Sequence, residues 1–206
     1  MARAIQMTTR RTHPRETAED AELMDRLRHA DPAAVEYLYD TYFDRIYSFV
    51  FRLVGRDHGA AEDVVQETFL AALRTQKSFR GDSSLYTWLC SIAYHKVTDW
   101  QRRSYREHRS QQVSLDIDGR DPEWSARSNP SAPDITESVE NREFVRKAMS
   151  ELPGDYRKVL ILKYVEEMSV SEISRIMKRS PKSVEGLLTR ARRALRTGAG
   201  SEVLSR

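Results

Sequence analysis

The chain has 206 residues, of which 32% are charged and 39% hydrophobic, and no apolar run is long enough to cross a membrane, so we expect no membrane insertion. Its single cysteine, Cys90, excludes an internal disulfide and a multi-thiolate zinc site and fits a reducing cytoplasm. The net charge of +3 is uneven, because residues 1–103 are neutral, residues 104–140 carry −4 and residues 141–206 carry +7. The basic end is therefore expected to bind a polyanion.

The front of the chain begins with a polar segment and then shows the 3.6-residue period of helices. Residues 1–20 carry no apolar pattern and lack the core of a signal peptide, which predicts a flexible arm. Asp31 followed by Pro32 predicts a helix start, because the carboxylate can cap free amides and proline needs no amide partner there. An apolar stripe follows at intervals of three or four residues: Leu38, Tyr42, Ile46, Phe49 and Leu53.

Two more helices complete a predicted front domain over residues 21–103. The pattern places one helix over residues 59–75 and another from about Leu85, with a loop over residues 76–84 between them. The last helix is expected to end in a basic stretch at Arg103. Together these elements predict a compact, all-helical domain.

A linker is predicted over residues 104–137. The segment is acidic and rich in Ser, Asp, Arg and Pro. It has too few apolar groups for their burial to offset the conformational entropy lost on ordering. The alternation from Val113 to Ile117 could form a lone strand, but no partner strand is evident, so we expect an extended segment.

The period returns in a second predicted domain over residues 138–198, which is followed by a tail over residues 199–206. Ser169 and Glu172 match the capping-box pattern, which predicts the start of a short helix. Ser180 and Pro181 predict the start of the next helix after a tight joint. Two short helices joined in this way, the second basic on its outer face, are typical of a helix-turn-helix.

The outer face of the second helix offers side chains that suit duplex DNA. Near its start, Lys182 could donate to guanine acceptors and Glu185 could accept from the cytosine amine, while the later arginines suit phosphates. The candidate residues are Ser180, Lys182, Ser183, Glu185, Gly186, Thr189, Arg190 and Arg193. The alternative is a basic, solvated helix of a bundle, but the capping, the turn length and the charge asymmetry together favour DNA.

Aromatic and cationic residues interleave in the front domain between Phe79 and Arg106, a pattern that suits unstacked single-stranded bases. The alternative is that most of the rings belong to the core, and the apolar spacing favours this for Trp88 and Trp100. Phe79 to Ser83 lies in the predicted loop, and we therefore expect it to grip a base.

These residues resemble the extracytoplasmic-function sigma factors of bacterial RNA polymerase. AEDVVQETFLAAL and FRGDSSLYTWLCSIAYHKVTDWQRR are similar to sigma region 2, and LPGDYRKVLILKYVEEMSVSEISRIMKRSPKSVEGLLTRARRAL is similar to region 4. The resemblance covers residues 21–103 and 138–198. The order of the two regions and the linker between them also match the family. It implies an all-α protein with two small domains.

The resemblance also implies a role for particular residues. The β′ clamp helices of core polymerase are implied to bind Asp63, Gln66, Glu67 and Phe69. The −10 promoter element is implied to contact a loop and a helix: Phe79, Arg80, Gly81, Asp82 and Ser83, then Lys96, Asp99, Trp100, Arg102 and Arg103. The helix from Pro181 is implied to read the −35 element. The acidic linker resembles the segment that the family threads through the polymerase toward the RNA exit path.

The implied function is transcription initiation, in which the polymerase carries out the catalysis and this chain makes no bond. The implied partners are core RNA polymerase, through its β′ clamp helices and β flap, promoter DNA and an anti-sigma factor. One departure concerns the joint of the helix-turn-helix, where the family often has Gly and this chain has Lys178 and Arg179.

Two alternative functions stand beside this one: a helix-turn-helix regulator that acts without polymerase, and an enzyme such as a nuclease or nucleotide hydrolase. The sequence has no phosphate-binding loop and no histidine or carboxylate cluster at metal spacing, so no catalytic residue, cofactor or metal is expected.

Overall fold

A computed structural model describes residues 18–112 and 145–203 of the chain. Every regular element in these two stretches is helical, which confirms the predicted fold class. The helices are α1 (Ala18–Arg28), α2 (Pro32–Leu53), α3 (His58–Thr75), α4 (Leu85–Gln112), α5 (residues 145–150), α6 (Gly154–Leu160), α7 (Val170–Met177) and α8 (Pro181–Val203). In these stretches no helix is both long and apolar enough to cross a membrane. The predicted linker from residue 113 onward and most of the predicted arm lie outside the described residues.

The front domain is a bundle in which α2, α3 and α4 pack against one another and α1 packs on α2. The predicted start of α2 is confirmed, because Asp31 accepts a hydrogen bond from the amide of Ala33 at 3.0 Å and Pro32 opens the helix. Gly55 follows the helix with φ 75°, a conformation that is easiest for glycine.

The front domain begins earlier than predicted, because α1 starts at Ala18 and includes a buried carboxylate at Asp20. One oxygen of this carboxylate accepts a hydrogen bond from the Tyr42 hydroxyl at 2.9 Å. The other accepts from the amide of Leu85 at 3.2 Å. Asp20 thus satisfies a free amide at the start of α4 from 65 residues away, which fixes α1 to the bundle.

The helix α4 is longer than predicted and continues past Arg103 to Gln112. The apolar stripe that predicted it fades after Trp100, but the following charged and polar residues include good helix formers, so the backbone continues as a helix. The front domain therefore merges into the predicted linker as a continuous helix.

The back domain contains the predicted helix-turn-helix, formed by α7 and α8. The capping box is confirmed: the amide of Glu172 donates to Ser169 Oγ at 3.2 Å and the amide of Ser169 donates to Glu172 Oε2 at 2.8 Å. Before it, α6 ends in a π-helical turn over Ile161–Val165. In this turn the amide of Glu166 reaches the carbonyl of Ile161 at 3.0 Å.

The joint between α7 and α8 is closed by Lys178, which adopts the left-handed conformation with φ 52° and ψ 45°. Glycine would adopt this conformation without a Cβ clash. We expect Lys178→Gly to raise the free energy of unfolding by up to about 1 kcal/mol, as measured by urea denaturation. Lys178→Ala is the matched control, since it removes the same side chain and keeps the strain. Equal stability of the two variants would contradict the expectation.

The two domains are in contact. The helix α7 packs against α4, and buried side chains from both domains form one hydrophobic cluster. The sequence pattern predicted two domains joined by a linker and gave no sign of this contact.

Candidate nucleic-acid and polymerase interfaces

The helix α8 presents the face that was predicted to read duplex DNA. Its inner side packs on α6 and α7 through Val184, Leu187, Leu188 and Ala191, which are buried. The candidates that lie exposed on the other side are Ser180, Lys182, Glu185, Thr189, Arg190 and Arg193. Ser183 and Gly186 are half-buried. Their spacing of three or four residues places most of these candidates on one stripe, as a helix lying in a groove requires.

The start of α8 is held in place by two contacts. The Ser180 hydroxyl accepts a hydrogen bond from the amide of Ser183 at 3.3 Å and so caps the first turn. Arg179, the middle residue of the joint, forms an ion pair with Asp155 of α6 at 2.6 Å. The remaining free amides of the first turn suit a phosphate, because a helix N-terminus attracts anions.

The loop predicted to grip a base has a different arrangement from the expected one. Phe79 is buried, with 4% of its surface exposed, and its ring packs against that of Trp88 in an edge-to-face arrangement with a centroid distance of 5.4 Å. Its carbonyl oxygen accepts a hydrogen bond from Arg28 of α1 at 3.1 Å. The expectation that the Phe79 ring stacks on DNA is therefore corrected, because the ring is part of the core.

The remaining candidates in this loop are accessible. Arg80 and Asp82 are exposed, and Gly81 and Ser83 are half-buried. Gly81 has φ 73°, so the loop turns sharply at a position that favours glycine. The polar part of the loop is therefore exposed or half-buried, whereas the aromatic ring that was expected to stack on a base is buried.

The second half of α4 carries the other −10 candidates on a surface rich in charge. Asp99, Arg102 and Arg103 are exposed, whereas Lys96 and Trp100 are half-buried. Arg102 lies 3.7 Å from Asp99 on the neighbouring helical turn. The position of Trp100 against the core agrees with the alternative that this ring belongs to the core.

Two of these cations are bound by a residue of the predicted polymerase surface. The carboxylate of Glu67 on α3 contacts Lys96 Nζ at 3.2 Å with one oxygen and Arg103 Nη2 at 3.2 Å with the other. Burial raises the pKa of the Glu67 carboxyl, but the hydrogen bonds and positive charges of Lys96 and Arg103 outweigh it and leave the pKa below its ordinary value. The predicted polymerase and −10 surfaces therefore share an edge.

The other polymerase candidates lie on the outer side of α3. Asp63 and Gln66 are exposed. Phe69 is buried, with its ring 5.2 Å from that of Tyr39 and 6.5 Å from that of Phe43. Phe69 therefore supports this surface from below, and the two exposed candidates, Asp63 and Gln66, are polar. Leu70 is also exposed on α3.

A set of polar contacts between the domains was not anticipated from the sequence. Glu166, at the end of the π-helical turn, accepts hydrogen bonds from the Tyr86 hydroxyl at 2.6 Å and from Arg52 Nη1 at 3.1 Å. The first pair is separated by 80 residues, and no local pattern signals it. Among the residues that the structure describes, no group of His, Cys, Asp or Glu could hold a metal ion.

Comparison with known proteins decides the family. The model for sigma-70 region 2 matches residues 38–107, and the model for sigma-70 region 4 matches residues 143–195. The ECF RNA polymerase sigma factor SigX of Bacillus subtilis is 31% identical over 162 residues, which cover 78% of this chain and 81% of SigX. The ECF RNA polymerase sigma-E factor of Escherichia coli K12 is 30% identical over 181 residues, covering 87% of this chain and 94% of that protein.

This chain belongs to the ECF sigma factors of the sigma-70 family. Solved structures share its fold. RpoE from Bartonella quintana, in complex with the anti-sigma factor NepR, aligns with a TM-score of 0.62 and 24% identity, over 79% of this chain and 94% of RpoE. CnrH, in complex with the cytosolic domain of CnrY, aligns with a TM-score of 0.57 and 23% identity, over 86% of this chain and 95% of CnrH.

Membership of the family sets the function. The ECF sigma factor acts in transcription initiation and is not an enzyme, so the nuclease and hydrolase alternatives are set aside. The alternative of a regulator that acts without polymerase is set aside for the same reason. The sequence resemblance to regions 2 and 4 is thus confirmed.

Proposed function

We propose that this sigma factor binds promoter DNA at two places, with α8 on the −35 element and the loop and helix from Arg80 to Arg103 on the −10 element. The observation that carries the proposal is the exposed stripe of candidate residues on α8. The start of this helix is capped by Ser180, and the joint before it is held to α6 by Arg179. This is the geometry that a helix needs to enter the major groove. The functional units proposed are residues 21–103 and 138–198, joined by the linker over residues 104–137.

In vitro transcription with core polymerase and a pool of random promoters tests this function. We expect transcripts only when the chain and the core enzyme are both present, and only from templates that share two short motifs. Transcripts without shared motifs would contradict specific reading by α8 and by the −10 surface.

We also propose that the outer side of α3 binds the β′ clamp helices of core polymerase and that the back domain binds the β flap. The exposed Asp63 and Gln66 support the first part, because they form a polar surface that the core of the domain does not use. The buried Phe69 is proposed to shape this surface without direct contact.

Charge reversal on this surface is a direct test. We expect Asp63→Lys to weaken binding to core polymerase about tenfold or more. Reversing the charge places like charges opposite each other in the interface, which costs up to several kcal/mol of binding free energy. A loss of about 1.4 kcal/mol already corresponds to a tenfold weaker affinity. The measurement is a titration of labelled sigma factor with core enzyme.

Glu62→Lys is the matched control for Asp63→Lys. Glu62 is also exposed on α3 and gives the same change of charge one residue earlier, about 100° around the helix. Equal losses in both variants would indicate a general effect of charge and would argue against a specific role for Asp63. Unfolding curves of both variants should match the wild-type curve.

An anti-sigma factor is the third proposed partner. RpoE was solved in complex with the anti-sigma factor NepR, and this chain shares its fold. The exposed polar face of α3 and the exposed face of α8 are the surfaces that such an inhibitor would need to cover.

A further inference from the structure

The first helix of the front domain contacts both ends of the loop that is proposed to bind the −10 element. Arg28, the last residue of α1, donates from Nη2 to the carbonyl oxygen of Phe79 at 3.1 Å, where the loop begins. In the first turn of α1, Asp20 Oδ2 accepts from the amide of Leu85 at 3.2 Å, just after the loop ends. This loop, residues 79–84 (the −10 loop), is therefore bonded to α1 on both of its flanks.

The helix α1 fixes these two contacts with respect to each other. Asp20 and Arg28 lie eight residues apart on one helix, which is a rise of about 12 Å. Three apolar residues between them are buried in the core of the front domain: Leu23, Met24 and Leu27. The helix also packs against the turn Gln76–Ser78, which leads into the −10 loop. The flanks of the loop are thus attached to a rigid, packed element.

The two arginines near the end of α1 have different partners. Arg26 Nε donates to Asp31 Oδ2 at 2.8 Å, at the start of α2. Arg28 instead reaches the −10 loop. Because Arg28 is exposed, its removal is expected to change the stability of the fold little. Its hydrogen bond therefore bears mainly on the position of the loop.

The accessible part of the −10 loop benefits from such a support. Arg80 and Asp82 are exposed, and Gly81 between them has φ 73° and widens the range of conformations open to the backbone. A loop that binds a base in one arrangement loses this freedom on binding, so a contact that removes part of it beforehand strengthens the specific complex. Both contacts of α1 lie within the front domain, so they do not depend on where the back domain lies.

We propose that α1 positions the −10 loop for base recognition, with Arg28 holding the start of the loop and Asp20 holding the residue after its end. Arg28 is a positioning residue, because it acts through the carbonyl group of Phe79 and the loop that follows. The inference rests on the −10 role proposed above. The family model for region 2 begins at residue 38, so α1 lies outside the residues that it matches.

The test measures base discrimination by holoenzyme that carries Arg28→Ala. The probes are the single-stranded −10 oligonucleotide recovered from the random promoter pool and its single-base variants, each with a fluorescent label. We expect the matched oligonucleotide to bind about three- to tenfold more weakly, and the ratio of matched to mismatched affinity to fall by the same factor, because a loosely held loop gains less from the correct base. Arg28→Lys keeps a long side chain with N–H donors and is expected to remain within about twofold of the wild type.

Arg26→Ala is the matched control for Arg28→Ala. It removes the same side chain from the same helix, and we expect the base ratio to stay unchanged because the lost contact is with α2. Equal losses of discrimination in the two alanine variants would indicate a general loosening of α1 and would overturn the role of Arg28. An even loss across all oligonucleotides in Arg28→Ala, with a salt dependence reduced by about one charge, would show a phosphate contact and would also overturn it.

Hydrogen–deuterium exchange of the full chain tests the support of the loop without DNA. We expect peptides that cover residues 79–85 to exchange faster in Arg28→Ala than in the wild type or in Arg26→Ala, since a loop released at one end opens more often. Unchanged exchange would overturn the positioning contact, whatever the DNA result. Faster exchange with an unchanged base ratio would overturn the link to recognition. Failure of the proposed −10 function itself would appear separately, as wild-type holoenzyme with no preference among the oligonucleotides.

Discussion

Phe79→Ala is expected to lower the free energy of unfolding of the sigma factor by about 3–5 kcal/mol, because it leaves a cavity where a buried ring meets Trp88. The loss should appear as an earlier midpoint in urea denaturation of the full chain. Any loss of promoter binding should follow the loss of folded protein, since the ring is inside the domain. Promoter binding by the folded fraction is expected to remain.

Arg80→Ala is the matched control in the same loop. Arg80 is exposed, so its removal should change stability by less than about 0.5 kcal/mol. Its removal should instead weaken binding of holoenzyme to a single-stranded −10 oligonucleotide. The assignment of Phe79 to the core would be wrong if Phe79→Ala left the unfolding curve unchanged and abolished capture of the oligonucleotide.

Arg190→Ala is expected to weaken binding of holoenzyme to the −35 element by about 1–3 kcal/mol and to relax sequence preference there, if the arginine contacts a base. The side chain is exposed on the outer stripe of α8, and its removal leaves the packed face intact. Competition between related −35 sequences measures both effects.

Arg192→Ala removes the same charge from a different side of α8. The Arg192 guanidinium is bound to the carbonyl oxygen of Leu188 at 3.2 Å and to the Thr189 hydroxyl at 3.3 Å. We therefore expect a smaller loss of affinity and no change of preference. An even loss across all sequences in Arg190→Ala would show that Arg190 contacts only phosphate.

The parts of the fold that were predictable from sequence depend on local chemistry. Asp31 with Pro32, and Ser169 with Glu172, each place a capping group beside the amides that it serves, so a short stretch of sequence determines where the helix begins. The exposed candidates on α8 follow from the helical period in the same way. The proposed polymerase- and promoter-binding roles of particular residues come from the resemblance to a family, because periodicity alone does not reveal them.

The parts that were missed depend on tertiary contacts. A loop position predicted Phe79 to be accessible, but packing against Trp88 overrides that expectation. The end of α4 at Gln112 was missed because the sequence after Trp100 carries no apolar stripe. The contact of Glu166 with Tyr86 joins positions 80 residues apart, and its geometry depends on a π-helical turn that has no sequence signature.

If Glu67 binds polymerase and its two partners bind DNA, as proposed, the ion pairs of Glu67 make DNA binding depend on polymerase. In the free protein this carboxylate acts as an internal counterion that neutralises Lys96 and Arg103. A positively charged group of the enzyme that binds Glu67 would compete with both cations and leave them available to phosphates. Because such coupling is reciprocal, a sigma factor already on its promoter should also bind the enzyme more tightly.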